Sequence, residues 1–239
     1  MATQVPTAVA ENRPMTREER KVIVASSLGT VFEWYDFYLY GSLAAIIGVK
    51  FFGQFPETTR NIFALLAFAA GFLVRPFGAL IFGRLGDLVG RKYTFLITIM
   101  IMGTSTFLVG LLPTSADIGI AAAIILIALR LLQGLALGGE YGGAATYVAE
   151  HAPQNRRGFY TSWIQTTATA GLFLSLLVIL FTQQILGNEA FAAWGWRVPF
   201  LISIVLLGIS VWIRLKLEES PAFVRMKAQG TQSKAPLTE

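Results

Sequence analysis

The sequence contains no cysteine and a single histidine, His151. Without cysteine there is neither a disulfide framework nor a thiolate metal site. A lone histidine, with no second histidine and no cysteine to join it, argues against a zinc-type centre. The sequence also lacks a nucleophile–histidine–acid set and a phosphate-binding loop. We therefore expect no metal, no cofactor and no enzyme active site.

Charged residues are scarce as well. They make up 14% of the 239 residues, whereas a soluble domain carries about 25%. Hydrophobic residues reach 54%, and the mean hydropathy is +0.60. This composition is typical of a protein embedded in a lipid bilayer. We attribute the net charge of +5 to loops that face anionic lipid, and we expect no nucleic-acid partner.

Six apolar runs are long enough to cross the membrane, since a hydrocarbon core of about 30 Å needs about 20 helical residues. In lipid a spanning segment must satisfy its own backbone hydrogen bonds, so each run is predicted to be a helix. The sequence predicts an all-α membrane protein with a tail at 1–20, a six-helix bundle at 21–216 and a linker at 217–239. The six runs are 22–49, 61–82, 93–112, 118–149, 159–186 and 197–215.

Lys and Arg residues are distributed unevenly about these runs. The ends that share a side with the polar segment 83–92 carry most of them, including Arg156, Arg157 and Arg214. The opposite side has Lys50, Arg60 and Arg197. Cytoplasmic loops are enriched in Lys and Arg, so both termini and the segment 83–92 are predicted to be cytoplasmic. We interpret 83–92 as a short polar loop between two antiparallel helices.

Several charged residues lie inside the runs. Glu33 and Asp36 share one face of the first run and need a partner or an aqueous cavity. With a helical rise of about 1.5 Å per residue, Asp36 and Arg130 lie at matching depths near the midplane. Arg75 and Glu140 form a second matching pair, about 14–16 Å from the cytoplasmic side. Such pairs can also be purely structural.

The fourth run combines two stripes at helical spacing. One is polar and contains Arg130, Gln133 and Glu140. The other consists of Gly134, Gly138 and Gly142, a small-residue repeat that allows another helix to approach closely. In the fifth run, Gln165 is a hydrogen-bonding group that would face a cavity. From these positions we predict a proton and solute site formed by Glu33, Asp36, Arg130, Gln133 and Gln165.

The segment 83–92 resembles the signature between helices two and three of the major facilitator superfamily. Gly83, Asp87, Gly90, Arg91 and Lys92 match it, whereas Leu88 stands where a basic residue is usual. Five further motifs resemble the metabolite:proton symporter subfamily. These are Phe32-Glu33-Trp34-Tyr35-Asp36-Phe37, Arg75-Pro76-Phe77-Gly78, Arg130 to Glu140 with its glycines, Trp194-Gly195-Trp196-Arg197-Val198-Pro199-Phe200, and Glu219-Ser220-Pro221.

The resemblance covers about residues 20–225 and implies the N-terminal six-helix half of a twelve-helix carrier. It implies alternating-access symport of a small organic solute with protons, in the inner membrane, with the first and fourth helices lining the cavity. It also implies a cytoplasmic latch. The latch residues would be Gly83, Asp87, Gly90, Arg91, Lys92, Glu150, Arg156 and Arg157.

Two hypotheses follow. In the first, the chain is a proton-coupled carrier, with the proton on Asp36 or Glu33 and with Arg130 holding that carboxylate or an anionic group of the solute. In the second, the chain is a truncated or half-size carrier that is inactive alone. It would then need a C-terminal six-helix half or a second copy, because one bundle cannot enclose a cavity.

Overall fold

The computed structural model describes residues 17–152, 154–216 and 221–229, and their regular structure is entirely helical. A 3₁₀ turn lies at Gln154–Arg156 and a π-helical segment at Phe191–Gly195. The α-helices are α1 (Arg17–Ser42), α2 (Ala44–Phe51), α3 (Glu57–Leu73), α4 (Arg75–Val89), α5 (Arg91–Leu111), α6 (Ser115–Ile118), α7 (Ile120–His151), α8 (Arg157–Leu186), α9 (Asn188–Ala190), α10 (Arg197–Leu215) and α11 (Pro221–Gln229).

Five helical segments within these ranges are long and apolar enough to cross a membrane, which confirms the predicted class. The first predicted span is not among them, because Glu33, Asp36 and several tyrosines lower the hydropathy of α1. Even so, α1 packs along α8 and α10 and is part of the bundle. The five segments are Glu57–Val89, Lys92–Leu111, Ile120–Thr146, Arg157–Leu186 and Arg197–Leu215.

The second predicted span is a helix that is broken at Val74, between α3 and α4. Pro76 lies two residues beyond the break, and proline cannot donate the backbone hydrogen bond that would continue the helix. The break places Arg75 at the first residue of α4. The predicted span at 61–82 is thus confirmed, but as two helical pieces.

The structure corrects the prediction of a ten-residue loop at 83–92. Helix α4 continues to Val89 and α5 begins at Arg91, so Gly90 alone connects them. Gly90 has a φ of 117°, a region that glycine adopts without a steric penalty. The charged residues of this segment are therefore helical.

A second finding concerns the predicted linker at 217–239, which contains a helix at residues 221–229. Helix α10 already ends at Leu215, and Pro221 is the first residue of α11. Proline is well suited to the first turn of a helix, where its missing N–H has no partner to lose. Most of the predicted tail at 1–20, and the linker from 230 onward, lie outside the described residues.

The main hydrophobic core lies at the end of the bundle opposite Gly90. There Phe51, Phe191, Trp196 and Phe200 are buried together. Hydrogen bonds tie the helix ends in this region: the Tyr35 hydroxyl donates to the Pro199 carbonyl at 2.7 Å. The Arg197 guanidinium donates to the carbonyls of Gly110 and Leu112, both at 2.8 Å.

Helix α7 approaches the α3–α4 pair at backbone contact distance. A Cβ atom on Gly134 would overlap the Gly71 carbonyl, and one on Gly138 would overlap the Arg75 carbonyl. The small-residue repeat therefore packs as predicted at these two positions. At Gly142 a Cβ would meet nothing within 4 Å, so this member of the repeat is not a packing residue.

Gly138→Ala should destabilise the bundle, whereas Gly142→Ala should not. The added methyl at 138 forces α7 and α4 apart, and overpacking of this kind costs about 1–3 kcal/mol. At 142 alanine is the better helix former by about 1 kcal/mol and meets no obstacle. Thermal unfolding of the purified chain in detergent measures both variants. Equal midpoints would contradict the close α4–α7 contact.

Candidate functional site

A chain of buried polar groups connects α7 to α5 in the middle of the bundle. The Arg130 guanidinium donates to the side-chain oxygen of Gln133. The Gln133 amide donates to the Thr106 hydroxyl at 2.7 Å, and this hydroxyl donates to the Met102 carbonyl at 3.0 Å. Arg130, Gln133 and Thr106 are at most 4% exposed. The side chains thus hold one another in place through direct hydrogen bonds.

Asp36 lies beside this chain and is 6% exposed. Its carboxyl interacts with the Thr106 hydroxyl and with the charge of Arg130. The two residues that sequence placed at the same depth are therefore neighbours, although among the described residues they form no direct ion pair. The Oδ1 atom of Asp36 is buried with no hydrogen-bond partner. A buried carboxyl with an unused acceptor suits a group that gains and loses a proton.

Arg75 lies near Arg130 but in a different environment. Its guanidinium lies over the rings of Phe37 and Phe72, with centroid distances of 4.7 and 4.1 Å. Its Nε and Nη2 atoms have no hydrogen-bond partner. Arg75, Arg130 and Gln133 line one small cavity of about 10 Å³. Two guanidinium groups thus converge on a site that an anion could occupy.

The predicted ion pair between Arg75 and Glu140 is wrong. Glu140 pairs instead with Arg214 of α10, whose Nη2 atom also lies 2.8 Å from Glu33 Oε1. The Thr98 hydroxyl donates to Glu140 Oε2 at 2.9 Å. Glu33, Glu140 and Arg214 are at most 2% exposed. We call these three side chains the buried charge cluster.

Sequence reasoning missed Arg214 because it is in the last turn of its helix, where an arginine normally reaches water. Here the side chain turns inward, and Gly29 of α1 leaves room for it. A Cβ on Gly29 would lie 2.9 Å from Arg214 Nη2. The Arg214 guanidinium also lies over the Phe95 ring at 4.9 Å. The sequence did contain one signal for this contact. Glu33 and Glu140 lie at similar depths, and no single cation had been assigned to both.

Glu33 and Asp36, which the sequence predicted to belong to one site, therefore lie in two different groups of side chains. The two lie about one helical turn apart on α1, but Glu33 belongs to the buried charge cluster and Asp36 to the Arg130 chain. Gln165 lies exposed on α8, so its place in the site stays a prediction.

Five predicted latch residues lie at the end of α4, at the connection and at the start of α5, and the other three lie where α7 ends and α8 begins. The five are Gly83, Asp87, Gly90, Arg91 and Lys92, and the three are Glu150, Arg156 and Arg157. Lys92 donates to the Leu215 carbonyl at 3.1 Å, whereas Asp87, Arg156 and Arg157 are exposed. The side chains of Arg91 and Glu150 lie outside the described residues. A cleft of about 250 Å³ opens here, and its lining includes Gly83, Asp87, Phe95, Gly139 and Gly142. The latch itself stays a prediction.

Within the described ranges, no group of three or more His, Asp or Glu residues is placed to hold a metal ion. The buried side chains of the site provide carboxyl, guanidinium, amide and hydroxyl groups. These groups can bind and release protons and hold a charged solute.

The model of the sugar (and other) transporter family matches residues 21–239. The chain belongs to this family, within the major facilitator superfamily. The proline/betaine transporter of Salmonella typhimurium is 46% identical over 204 residues, which are 85% of this chain and 41% of that protein. The shikimate transporter of Escherichia coli (strain K12) is 41% identical over 223 residues, 93% of this chain and 51% of that protein.

Solved structures of the superfamily share the fold. The proton:xylose symporter XylE bound to 6-bromo-6-deoxy-D-glucose aligns with a TM-score of 0.80 and 17% identity, over 90% of this chain and 48% of that one. A partially occluded inward-open form of XylE from E. coli aligns with a TM-score of 0.78 over 91% of this chain and 52% of that one. The chain spans about half the length of the relatives it matches.

Arg214→Met should destabilise this transporter-family chain strongly. The change leaves the two buried carboxyl groups of the cluster without their cation, and breaking a buried ion pair in this way costs about 3–5 kcal/mol. Lys216→Met, two residues further on, is the matched control. Lys216 is exposed and loses only a contact of about 0.5–1 kcal/mol with the Trp212 ring. Thermal unfolding in detergent compares them.

Adding Glu33→Gln and Glu140→Gln to Arg214→Met should recover most of the lost stability, since no buried charge of the cluster then remains. If Arg214→Met and Lys216→Met unfolded at the same temperature, the buried charge cluster would not exist in the membrane-embedded chain.

Proposed function

We propose that this chain provides one six-helix half of a proton-coupled carrier for a small organic solute in the cell inner membrane, with both termini cytoplasmic. The observation that carries the proposal is the buried group formed by Asp36, Thr106, Gln133 and Arg130. A charged group inside a membrane protein is costly and generally belongs to an ion or substrate pathway. Family membership and the shared fold support the same reading.

Asp36 is the proton-binding group in this proposal. Burial favours the neutral carboxylic acid, whereas the nearby Arg130 charge favours the carboxylate. These opposing effects poise the carboxyl between its two states. When a solute anion approaches Arg130, that charge is neutralised and protonation of Asp36 becomes more favourable. Proton and solute binding would then reinforce each other.

The solute is proposed to carry a carboxylate. Arg75 and Arg130 converge on one cavity, and a guanidinium binds a carboxylate with two parallel hydrogen bonds. The unused Nε and Nη2 atoms of Arg75 are available donors. Proline, betaine and shikimate, which appear in the names of the relatives, all carry a carboxylate. The solute would thus be a carboxylate-bearing or zwitterionic metabolite.

Transport would follow alternating access, in which two bundles rock around a midplane site. The exposed charges near Gly90, including Asp87, Arg156 and Arg157, would contact the second bundle when the carrier closes on its cytoplasmic side. Lipid would surround the remaining faces, where large apolar side chains such as Leu73, Phe181 and Ile185 are exposed.

A specific observation favours the alternative, in which the chain does not transport alone. It spans about half the length of its relatives, and the cavity beside Arg75 and Arg130 is only about 10 Å³. That is room for about one water molecule and not for a metabolite. A C-terminal six-helix half, or a second copy of this chain, would supply the other wall of the site.

Uptake of labelled proline, glycine betaine and shikimate into liposomes, with and without an inward proton gradient, tests the proposal. We expect gradient-driven uptake of at least one solute by the assembled carrier. Asp36→Asn should abolish the response to the gradient, while Glu189→Gln, an exposed carboxyl at the other end, should preserve it. Undiminished proton-driven uptake in Asp36→Asn would refute the role of Asp36.

The same assay separates the two hypotheses. Gradient-driven uptake by liposomes that contain this chain alone supports a self-sufficient carrier, either as a monomer or as a pair of copies. Uptake that appears only when a separately expressed six-helix half is added supports the half-carrier.

Arg130→Lys should weaken solute binding while preserving the charge. Lysine cannot form the two parallel hydrogen bonds of a guanidinium, and loss of one charge-assisted bond is worth about 1.5–3 kcal/mol. The half-saturating solute concentration should therefore rise about tenfold or more. Lys50→Arg, far from the site, is the control. Unchanged half-saturation in Arg130→Lys would contradict a direct contact with the solute.

A further inference from the structure

The buried charge cluster contains two carboxyl groups and one guanidinium. Glu33 comes from α1, Glu140 from α7 and Arg214 from α10, and each is at most 2% exposed. With both carboxyls ionised, the cluster would carry a net charge of −1 at a site where all three side chains are buried. An uncompensated buried charge costs several kcal/mol, so a second positive charge or a bound proton is needed.

Among the residues that the structure describes, the groups that face the cluster from α5 and α8 do not supply a second cation. Helix α5 contributes the Thr98 hydroxyl, which donates to Glu140, and the Phe95 ring, which lies against Arg214. Lys92, further along α5, binds the Leu215 carbonyl at the exposed end of α10. From α8, which packs on α1, the buried polar residue at this level is Thr167, and its hydroxyl donates to its own helix at Ile164.

The contacts within the cluster bring the two carboxyls together. The same atom, Arg214 Nη2, contacts Oε1 of Glu33 and Oε1 of Glu140. Two carboxylate oxygens on one nitrogen lie close to each other, and two ionised carboxylates at such a distance repel. A proton shared between them converts this repulsion into a hydrogen bond, as in other carboxyl pairs that titrate as a unit.

We propose that Glu33 and Glu140 together bind one proton, whose charge and that of Arg214 balance the two carboxylates, and that the cluster is a second proton site of the carrier. This site is distinct from Asp36, which belongs to the Arg130 chain. The proton belongs to the pair, and the cluster is neutral as a whole when it is bound.

The position of the cluster suits a relay between Asp36 and the end of the bundle near Gly90. A cavity of about 10 Å³ is lined by both Glu33 and Asp36, and this volume holds about one water molecule. On the other side, Phe95 borders Arg214 and also lines the 250 Å³ cleft that contains Asp87. A proton leaving Asp36 would pass through one water to the pair, which lies between Asp36 and the cleft that Phe95 borders.

The role in transport rests on the proposed function, but the bound proton can be measured without transport. Infrared spectroscopy of the purified full chain in lipid detects the carbonyl stretch of a protonated carboxyl group. The Asp36→Asn background removes the signal of Asp36. In this background we expect the band of one protonated carboxyl per chain at pH 7, with a shift to lower frequency in D₂O.

Adding either Glu33→Gln or Glu140→Gln should remove the band. The charge of the one remaining carboxylate is then balanced by the charge of Arg214, so no proton is needed to neutralise it. Adding Glu189→Gln, an exposed carboxyl, should leave the band unchanged. Circular dichroism confirms that each variant is folded before its spectrum is compared.

A missing band at pH 7 in folded Asp36→Asn overturns the inference, and so does a band that survives both glutamine substitutions. The first measurement needs no glutamine variant, so it decides the matter even if those variants fail to fold. Proton-driven uptake without the band would refute this inference alone. If the band is present but uptake does not depend on the proton gradient, the proposed function is refuted and the proton site is still supported.

Discussion

A charge inside a lipid bilayer must be compensated by the protein, because no water is available to solvate it, and the arrangement of this bundle follows from that constraint. Arg214 meets both Glu33 and Glu140, and in doing so it joins α1, α7 and α10. Arg130 is held by Gln133 and neighbouring aromatic rings. Two groups of buried polar side chains therefore lie around α7, the buried charge cluster and the chain that begins at Arg130. Each group holds several helices in register.

This arrangement depends on how closely α7 can approach its neighbours. Gly134 and Gly138 allow its backbone to touch α3 and α4, so the side chains of Arg130 and Gln133 project towards α1 and α5. Packing and charge compensation are thus properties of the same helix. Its glycine face determines the distance to α3–α4, and its polar face determines which residues the other helices must present.

Much of the fold could be predicted from the sequence because bilayer thickness converts apolar run length directly into spanning helices. The family signature at 83–92 and the motif containing Asp36 added the arrangement of a six-helix half. The neighbourhood of Asp36 and Arg130 was also predictable, since depth along a helix follows from residue counting. Residue counting could not identify the partner of Glu140, because depth along the helix axis does not determine which neighbouring helix a side chain faces.

The sequence by itself determined the class of the protein, the number of runs and the residues whose charge the membrane would make costly. These depend on composition and on spacing along one helix. Only the tertiary structure decided that Arg214 turns inward to Glu33 and Glu140, that Arg75 lies among aromatic rings and that Gly90 alone joins α4 to α5. These depend on the rotation of each helix about its axis, which is set by contacts between residues far apart in the chain.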